Sequence, residues 1–194
     1  MWKETQITNY VKEKISEKRF AHTVGVRNTA VKLSEIYGAD REKAMLAGLI
    51  HDCAKNMEDE EILSIVRQDG YEPDWIEQGS PQLLHGRAAS VIAERQMEIA
   101  DEDVLNAIIY HTTGRSDMTL LEKIVYVADY IEPTRNYMGV DELRKVAFVN
   151  IDAAVLMAID NTIRFVLDRK QLLHNNTIDA RNYMLMQLGG EAVG

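Results

Sequence analysis

The side chains best suited to metal or acid–base chemistry fall in one order along the chain: His22, His51-Asp52, His85, His111 and Asp129. The pair His51-Asp52 closes an apolar run, Ala44, Met45, Leu46, Ala47, Leu49 and Ile50, which sets both side chains at the buried end of a helix. Burying an imidazole beside a carboxylate is costly unless something satisfies both; a metal ion does so, and so does a plain hydrogen-bonded pair. Asp129 is the odd carboxylate in an otherwise apolar stretch, Ile124 to Ile131, and it too demands a partner. Any one of these histidines has a simple account as an imidazole satisfied by a hydrogen bond. Applied to the whole set, that account has to be invoked six times over.

Helical spacing recurs throughout, and strand-like alternation stops after a few residues wherever it begins. Ile7, Tyr10, Val11 and Ile15 mark a first helix ending near Lys18-Arg19. A second is expected from Phe20 to Tyr37, with Gly38 as a left-handed cap and His22 in its first turn. Asp40 caps a third helix, which delivers His51-Asp52 at its C-terminal end. An acidic first turn after Glu58 opens a helix to Gln68, stopped at Gly70. Tyr71 to Gly79 reads as a connection with one turn around Trp75. Ser80-Pro81 starts a helix that carries His85 in its second turn and continues to Met97. Asp101 opens another, ending at His111. Thr119 and Glu122 have capping-box spacing, and their helix ends near Ile131, before Pro133. Asp141 to Leu167 keeps helical period over an unusual length, with Asn150-Ile-Asp152 as the place for a break. A last helix runs from Ile178 to Leu188. The expectation is an all-α fold, a single domain over residues 1–194.

At 194 residues the chain is long enough for one full core. No apolar run is long enough to span a bilayer, and Met1-Trp-Lys-Glu-Thr lacks the character of a signal peptide, so no membrane role is expected. The single cysteine, Cys53, excludes an internal disulfide and suits a reducing cytoplasm. A formal net charge of -9 argues against binding a nucleic acid polymer, which needs a basic face. It leaves room for a small anion held by a local cluster of metal and arginine. A homodimer stays open, since the sequence locates no apolar patch that would bury one.

The neighbours of the chemical residues narrow the reading. Arg19-Phe-Ala-His22, Gly48-Leu-Ile-His-Asp-Cys-Ala-Lys55, Tyr110-His-Thr-Thr-Gly114, Ala128-Asp-Tyr-Ile-Glu-Pro133 and Leu173-His-Asn-Asn-Thr-Ile-Asp-Ala-Arg-Asn182 span nearly the whole chain. Together they resemble the HD-domain superfamily of metal-dependent phosphohydrolases, and within it the bacterial symmetrical bis(5′-nucleosyl)-tetraphosphatases. The resemblance implies an HD-type helical bundle that hydrolyses diadenosine tetraphosphate and related dinucleoside polyphosphates at the central bridge, giving two nucleoside diphosphates. It also implies His22, His51, Asp52 and Asp129 as ligands of a divalent metal, with iron the metal associated with the family. Manganese and zinc suit the same imidazole and carboxylate donors. His85 and His111 match the histidines that hold a second ion or touch phosphate. Coordination lowers the pKa of water from about 15.7 toward 7, and the hydroxide so formed would attack an inner phosphorus in line. On this reading Asp52, His85 and His111 are the catalytic residues.

A tetraphosphate needs positive groups, and Arg19, Lys55, Arg115, Arg135 and Arg181 lie near the ligands in sequence. His22, His85, His111 and Asp129 are counted among the groups facing substrate. Thr112-Thr-Gly114 reads either as a small anion nest or as a helix C-cap. His174, Asn176, Thr177 and Asn182 read as phosphate or ribose contacts, with N-capping an equal account of Asn176 and Thr177. Cys53 reads as a buried apolar residue, the methionines as core filler, and Glu58-Asp-Glu-Glu61 as a helix start. Three other functions use the same residues: an HD-type phosphatase of mononucleotides or dNTPs, an oxygenase, and a non-catalytic nucleotide-binding module.

Overall fold

Polar residues at helix starts decide where this chain turns. In the computed structural model, which describes residues 2–189, every regular element is helical and no strand forms among the described residues. Helix α1 (Glu4–Lys14) is separated from α2 (Glu17–Tyr37) by Ile15-Ser16, and the Ser16 hydroxyl accepts the Arg19 N–H at 3.3 Å. The boundary expected at Lys18-Arg19 therefore lies earlier, and His22 stands in the second turn of α2 rather than its first. Glu17-Lys18-Arg19 fit either helix, and the serine cap decides between them. The shift takes Arg19 into α2, where it shares a face with His22 three residues on.

Asp40 caps α3 (Arg41–Ile50), accepting from the Glu42 and Lys43 N–H groups, and Gly38 takes the left-handed conformation expected of it (φ 74°). After α4 (Asp59–Gln68) comes the short α5 (Trp75–Gly79), with Asp74 as its cap. Ser80-Pro81 does not open an α-helix directly. It starts one tighter turn, Pro81–Leu84, and α6 (His85–Arg95) follows. His85 is thus the first residue of α6 and not a second-turn residue; Ser80, at φ -148° and ψ 71°, makes no side-chain cap bond. Asp101 caps α7 (Glu102–Tyr110), and Thr119 and Glu122 form the expected capping box of α8 (Leu120–Ile131). Each such cap contributes about 1 kcal/mol.

The long apolar stretch divides at Asn150 into α9 (Val140–Ala147) and α10 (Ile151–Asp168), the Asn150 side chain accepting the Ala153 N–H at 3.0 Å. The last helix, α11 (Asn175–Gln187), begins three residues before the expected Ile178. Its cap is the His174 ring, whose Nδ1 accepts the Asn176 N–H at 3.1 Å, and not Asn176 or Thr177.

Helix α2 packs against both α3 and α8, and α7 lies against α3, α6 and α8; α10 covers α8 and carries α9 and α11. Two glycines let backbones touch where the site is built. A Cβ on Gly48 of α3 would come within 2.9 Å of the Arg27 Cα in α2, and one on Gly86 of α6 within 2.6 Å of the Ile108 carbonyl in α7. Those close approaches bring the backbones carrying His22, His51, His85 and His111 together.

Candidate active site

His51 and His111 end helices, where carbonyls lack the usual intrahelical donor. His51 Nδ1–H donates to Gly48 O (2.8 Å) and His111 Nδ1–H to Ile108 O (2.7 Å). At the junction before α6, His85 Nδ1–H donates to Gln82 O (2.6 Å). His22, mid-helix, instead donates from Nδ1 to the Glu132 carboxylate (3.0 Å). Each of these bonds fixes the tautomer, so all four Nε2 lone pairs face inward.

Asp52 stands at the centre of the converging rings. Its Oδ2 lies 3.6 Å from His22 Nε2 and 3.4 Å from His51 Nε2, and its Oδ1 lies 3.0 Å from His85 Nε2 and 3.7 Å from His111 Nε2. Asp129 Oδ1 is 2.9 Å from His22 Nε2. His22 Nε2 and His51 Nε2 are buried without any hydrogen bond, which ordinarily costs about 1–3 kcal/mol per group. His85 Nε2 and His111 Nε2 face each other at 2.9 Å, lone pair toward lone pair, beside a carboxylate oxygen. Acceptors crowded in this way need a cation among them. The ligand atoms of His22, His51 and Asp129 lie within 4.8 Å of one another, as do those of His51, Asp52 and His111. Nitrogen with oxygen donors in such numbers fits a divalent transition metal and is poor for calcium.

Burial and the neighbouring charges act differently on each member of the cluster. Burial pushes the His85 imidazole down to about 4, leaving it neutral as a ligand must be. Burial opposes ionisation of Asp52, but the surrounding imidazoles of His51, His111 and His85 hold its carboxyl well below the usual range. Asp129 is likewise held low, against burial, by His22 and by the Arg135 guanidinium. His22 goes the other way: burial lowers it, but the contacts with Asp129 and Glu132 more than compensate and favour a ring proton that a bound cation would displace.

A cavity of about 630 Å³ opens outward from this cluster. Asp52, His85, His111 and Asp129 form its floor, with His22 and His51 beneath them. Arg19, Lys55, Thr112, Arg135, His174 and Thr177, named from the sequence as substrate contacts, line it. Arg19 reaches Asp52 Oδ2 (2.9 Å) and Arg135 reaches Asp129 Oδ1 (2.5 Å), so both guanidiniums sit at the edge of the cluster. Lys55 makes no ion pair among the described residues; its ammonium lies 3.3 Å from His85 Nδ1, and burial lowers its pKa. The Thr112 hydroxyl is 3.1 Å from His111 Nε2.

Other expected contacts lie off the cavity wall. Arg115 is bound in two places by buried Glu122 (2.8 and 3.0 Å), and Arg181 is paired with Asp160 at 2.5 Å. Gly114 takes the left-handed conformation (φ 65°) with its N–H on Tyr110 O (2.8 Å), so that N–H serves the helix end. Asn176 and Asn182 do not line the cavity either. Thr177 is half engaged, its hydroxyl donating to Thr113 O at 3.0 Å. Cys53 is fully buried, its thiol pushed up to about 12, and is an apolar residue as expected.

His174 belongs to a third group with Asp74 and Glu77, but its chemistry differs. Because its Nδ1 accepts a backbone N–H, its ring proton is on Nε2, 3.4 Å from Glu77 Oε1, and it offers no inward lone pair. Two features escaped the sequence reading. One is the far wall of the cavity, where Tyr137, Asn161, Phe165, Gln171 and Leu172 stand. The other is Glu132, fully buried behind His22; it lies within the Ala128–Pro133 stretch that carries the resemblance, but the sequence assigns it no role there.

The family model described as HD domain matches residues 19–134, which hold all six cluster residues. The chain belongs to the HD-domain family. This HD-domain protein is 42% identical over 175 residues to the symmetrical bis(5′-nucleosyl)-tetraphosphatase of Bacillus subtilis (strain 168), covering 90% of this chain and 94% of the relative. It is also 42% identical over 174 residues to the protein of the same name from Staphylococcus aureus (strain NCTC 8325 / PS 47), covering 89% of each. A crystal structure from Clostridium acetobutylicum, described as a predicted HD superfamily hydrolase involved in NAD metabolism, superimposes with a TM-score of 0.94. It is 51% identical, over 96% of this chain and 99% of that one.

Proposed function

We propose that this HD-domain protein hydrolyses diadenosine tetraphosphate, and related dinucleoside tetraphosphates, symmetrically to two nucleoside diphosphates. The observation that carries the reading is the cavity itself. A cluster of converging imidazole lone pairs and two carboxylates forms its floor, and Arg19, Lys55 and Arg135 line the wall above. The near-full-length likeness to the Bacillus subtilis enzyme supports the substrate.

His22, His51, Asp52 and Asp129 would hold a divalent metal, iron in the first instance, with manganese or zinc compatible with the same donors. His85 and His111 would hold a second ion or meet phosphate oxygens directly. When bound, the metal supplies a water acidic enough to ionise near neutral pH and positive charge for phosphate oxygens. The chain's own residues do the rest. Lys55, without a carboxylate partner among the described residues, is free to meet the inner phosphates. Arg19 and Arg135, held at the rim by Asp52 and Asp129, orient the polyphosphate chain and neutralise its charge. The reaction breaks the bridge between the second and third phosphates, so each product keeps two. One nucleoside diphosphate half fits the cavity, its base against Phe165, Tyr137 and Leu172, while the other half extends through the mouth.

We take residues 1–194 as one unit acting in the cytoplasm. No helix of the described residues is long and apolar enough to cross a membrane. The test of substrate class is a panel in which the metal-loaded protein meets diadenosine tetraphosphate, AMP and dATP at equal concentration. The reading expects the dinucleotide to give the largest kcat/KM. Faster phosphate release from the mononucleotides would replace it with the mononucleotide phosphatase.

A further inference from the structure

Three of the four inward histidines are oriented by backbone carbonyls, which no substitution removes: His51 by Gly48, His85 by Gln82 and His111 by Ile108. His22 has no such option. It stands in the second turn of a 21-residue helix, where carbonyls are engaged by the N–H four residues on. Its orientation has to come from a side chain. We propose that Glu132 is that positioning residue, holding the His22 imidazole so that Nε2 faces Asp129 and Asp52. The inference rests on reading the cluster as a divalent-metal site and adds to it the group on which His22 depends.

Glu132 is built into its place from both sides. Its residue is fully buried, and its Oε1 accepts from His22 Nδ1 at 3.0 Å. The Thr134 N–H donates to Oε2 at 2.7 Å, and the Thr134 hydroxyl donates to Oε1. On the far side Gly25 supplies the room, since a Cβ there would come within 2.3 Å of Oε2. The same helix thus carries the histidine and, one turn later, the gap that admits its partner. All three groups on the carboxylate are donors. A glutamine at 132 sets its NH2 against His22 Nδ1–H in one orientation and against Thr134 N–H in the other. In the first orientation the His22 tautomer is released; in the second the amide loses its Thr134 clamp and with it the fixed angle of the His22 ring; the size of the side chain is unchanged in both.

The test is calorimetric titration of Mn2+ into metal-stripped full-length protein, with thermal melting of the stripped proteins alongside. Glu132→Gln is expected to weaken Mn2+ binding by about 10- to 100-fold, the range of a lost ligand-orienting contact. Thr134→Ala, at an exposed position, removes one clamp on the carboxylate and is expected to weaken binding by about 3- to 10-fold with folding intact. Glu122→Gln, a buried carboxylate remote in role and paired with Arg115, is the control and is expected to leave Mn2+ affinity unchanged whatever it does to melting. Wild-type affinity in both Glu132→Gln and Thr134→Ala overturns the proposal while leaving the metal centre standing. Failure of the wild-type protein to bind Mn2+, Fe2+ or Zn2+ overturns the metal centre and the proposal with it.

Discussion

Asp52→Ala is expected to lower kcat/KM for diadenosine tetraphosphate by at least about 1,000-fold, roughly 4 kcal/mol of transition-state stabilisation, in a protein that stays folded. No other residue is shared so widely within the cluster. One of its oxygens faces His22 and His51, the other faces His85 and His111, and Arg19 reaches it from the rim. Removing the carboxylate takes a ligand from the metal and leaves the imidazole lone pairs without the charge that balances a cation. The helices do not depend on it to the same degree. They are held by a core of fully buried side chains such as Leu33, Ile50, Ile108 and Ile124, none of which Asp52 helps to form. Activity is read as kcat/KM and folding as far-UV circular dichroism of the same sample. A metal that serves only as a structural staple would give the reverse pattern, a loss of melting temperature with residual activity in proportion to the folded fraction.

Stripping the metal with a chelator is expected to abolish hydrolysis and to lower the melting temperature, both restored by adding a divalent ion. The stability effect follows from linkage. A ligand that binds only the folded chain, at about a hundred times its dissociation constant, contributes about 2.7 kcal/mol. For a chain of this length that corresponds to a shift of about 5–10 °C. The direction is secured by the site, since the buried Nε2 atoms of His22 and His51 are left without partners and His85 faces His111 lone pair to lone pair. Scanning calorimetry before and after chelation, with Mn2+, Zn2+ and Fe2+ added back in turn, gives both readouts and ranks the metals.

Much of this architecture was legible in the order of residues, because capping chemistry is local. Asp40, Asp101 and Thr119 each act as the helix starts they appeared to be, the break expected at Asn150-Ile-Asp152 falls at Asn150, and Gly38 takes the left-handed conformation its position asked for. The cluster was legible for a different reason. His22, His51-Asp52, His85, His111 and Asp129 are costly to bury singly, and the structure brings all six within one site. What escaped the reading depends on contacts between distant parts of the chain. Arg115 and Arg181 looked available for phosphate, yet Glu122 and Asp160 hold them. His174 caps a helix through its ring, a role that histidine composition does not announce. Glu132 is 110 residues from His22, and although both lie in stretches that carry the resemblance, local sequence does not pair them. The far wall of the cavity comes from Tyr137, α10 and the segment before α11, whose apolar residues read as ordinary helix filler until the cavity is seen.

The central claim is that water is delivered to an inner phosphorus above this cluster, so the bridge between the two middle phosphates breaks. The most direct measurement is separation of the products formed from diadenosine tetraphosphate by the metal-loaded protein. ADP as the sole nucleotide product is the expected result; ATP with AMP in equal amounts would contradict the account.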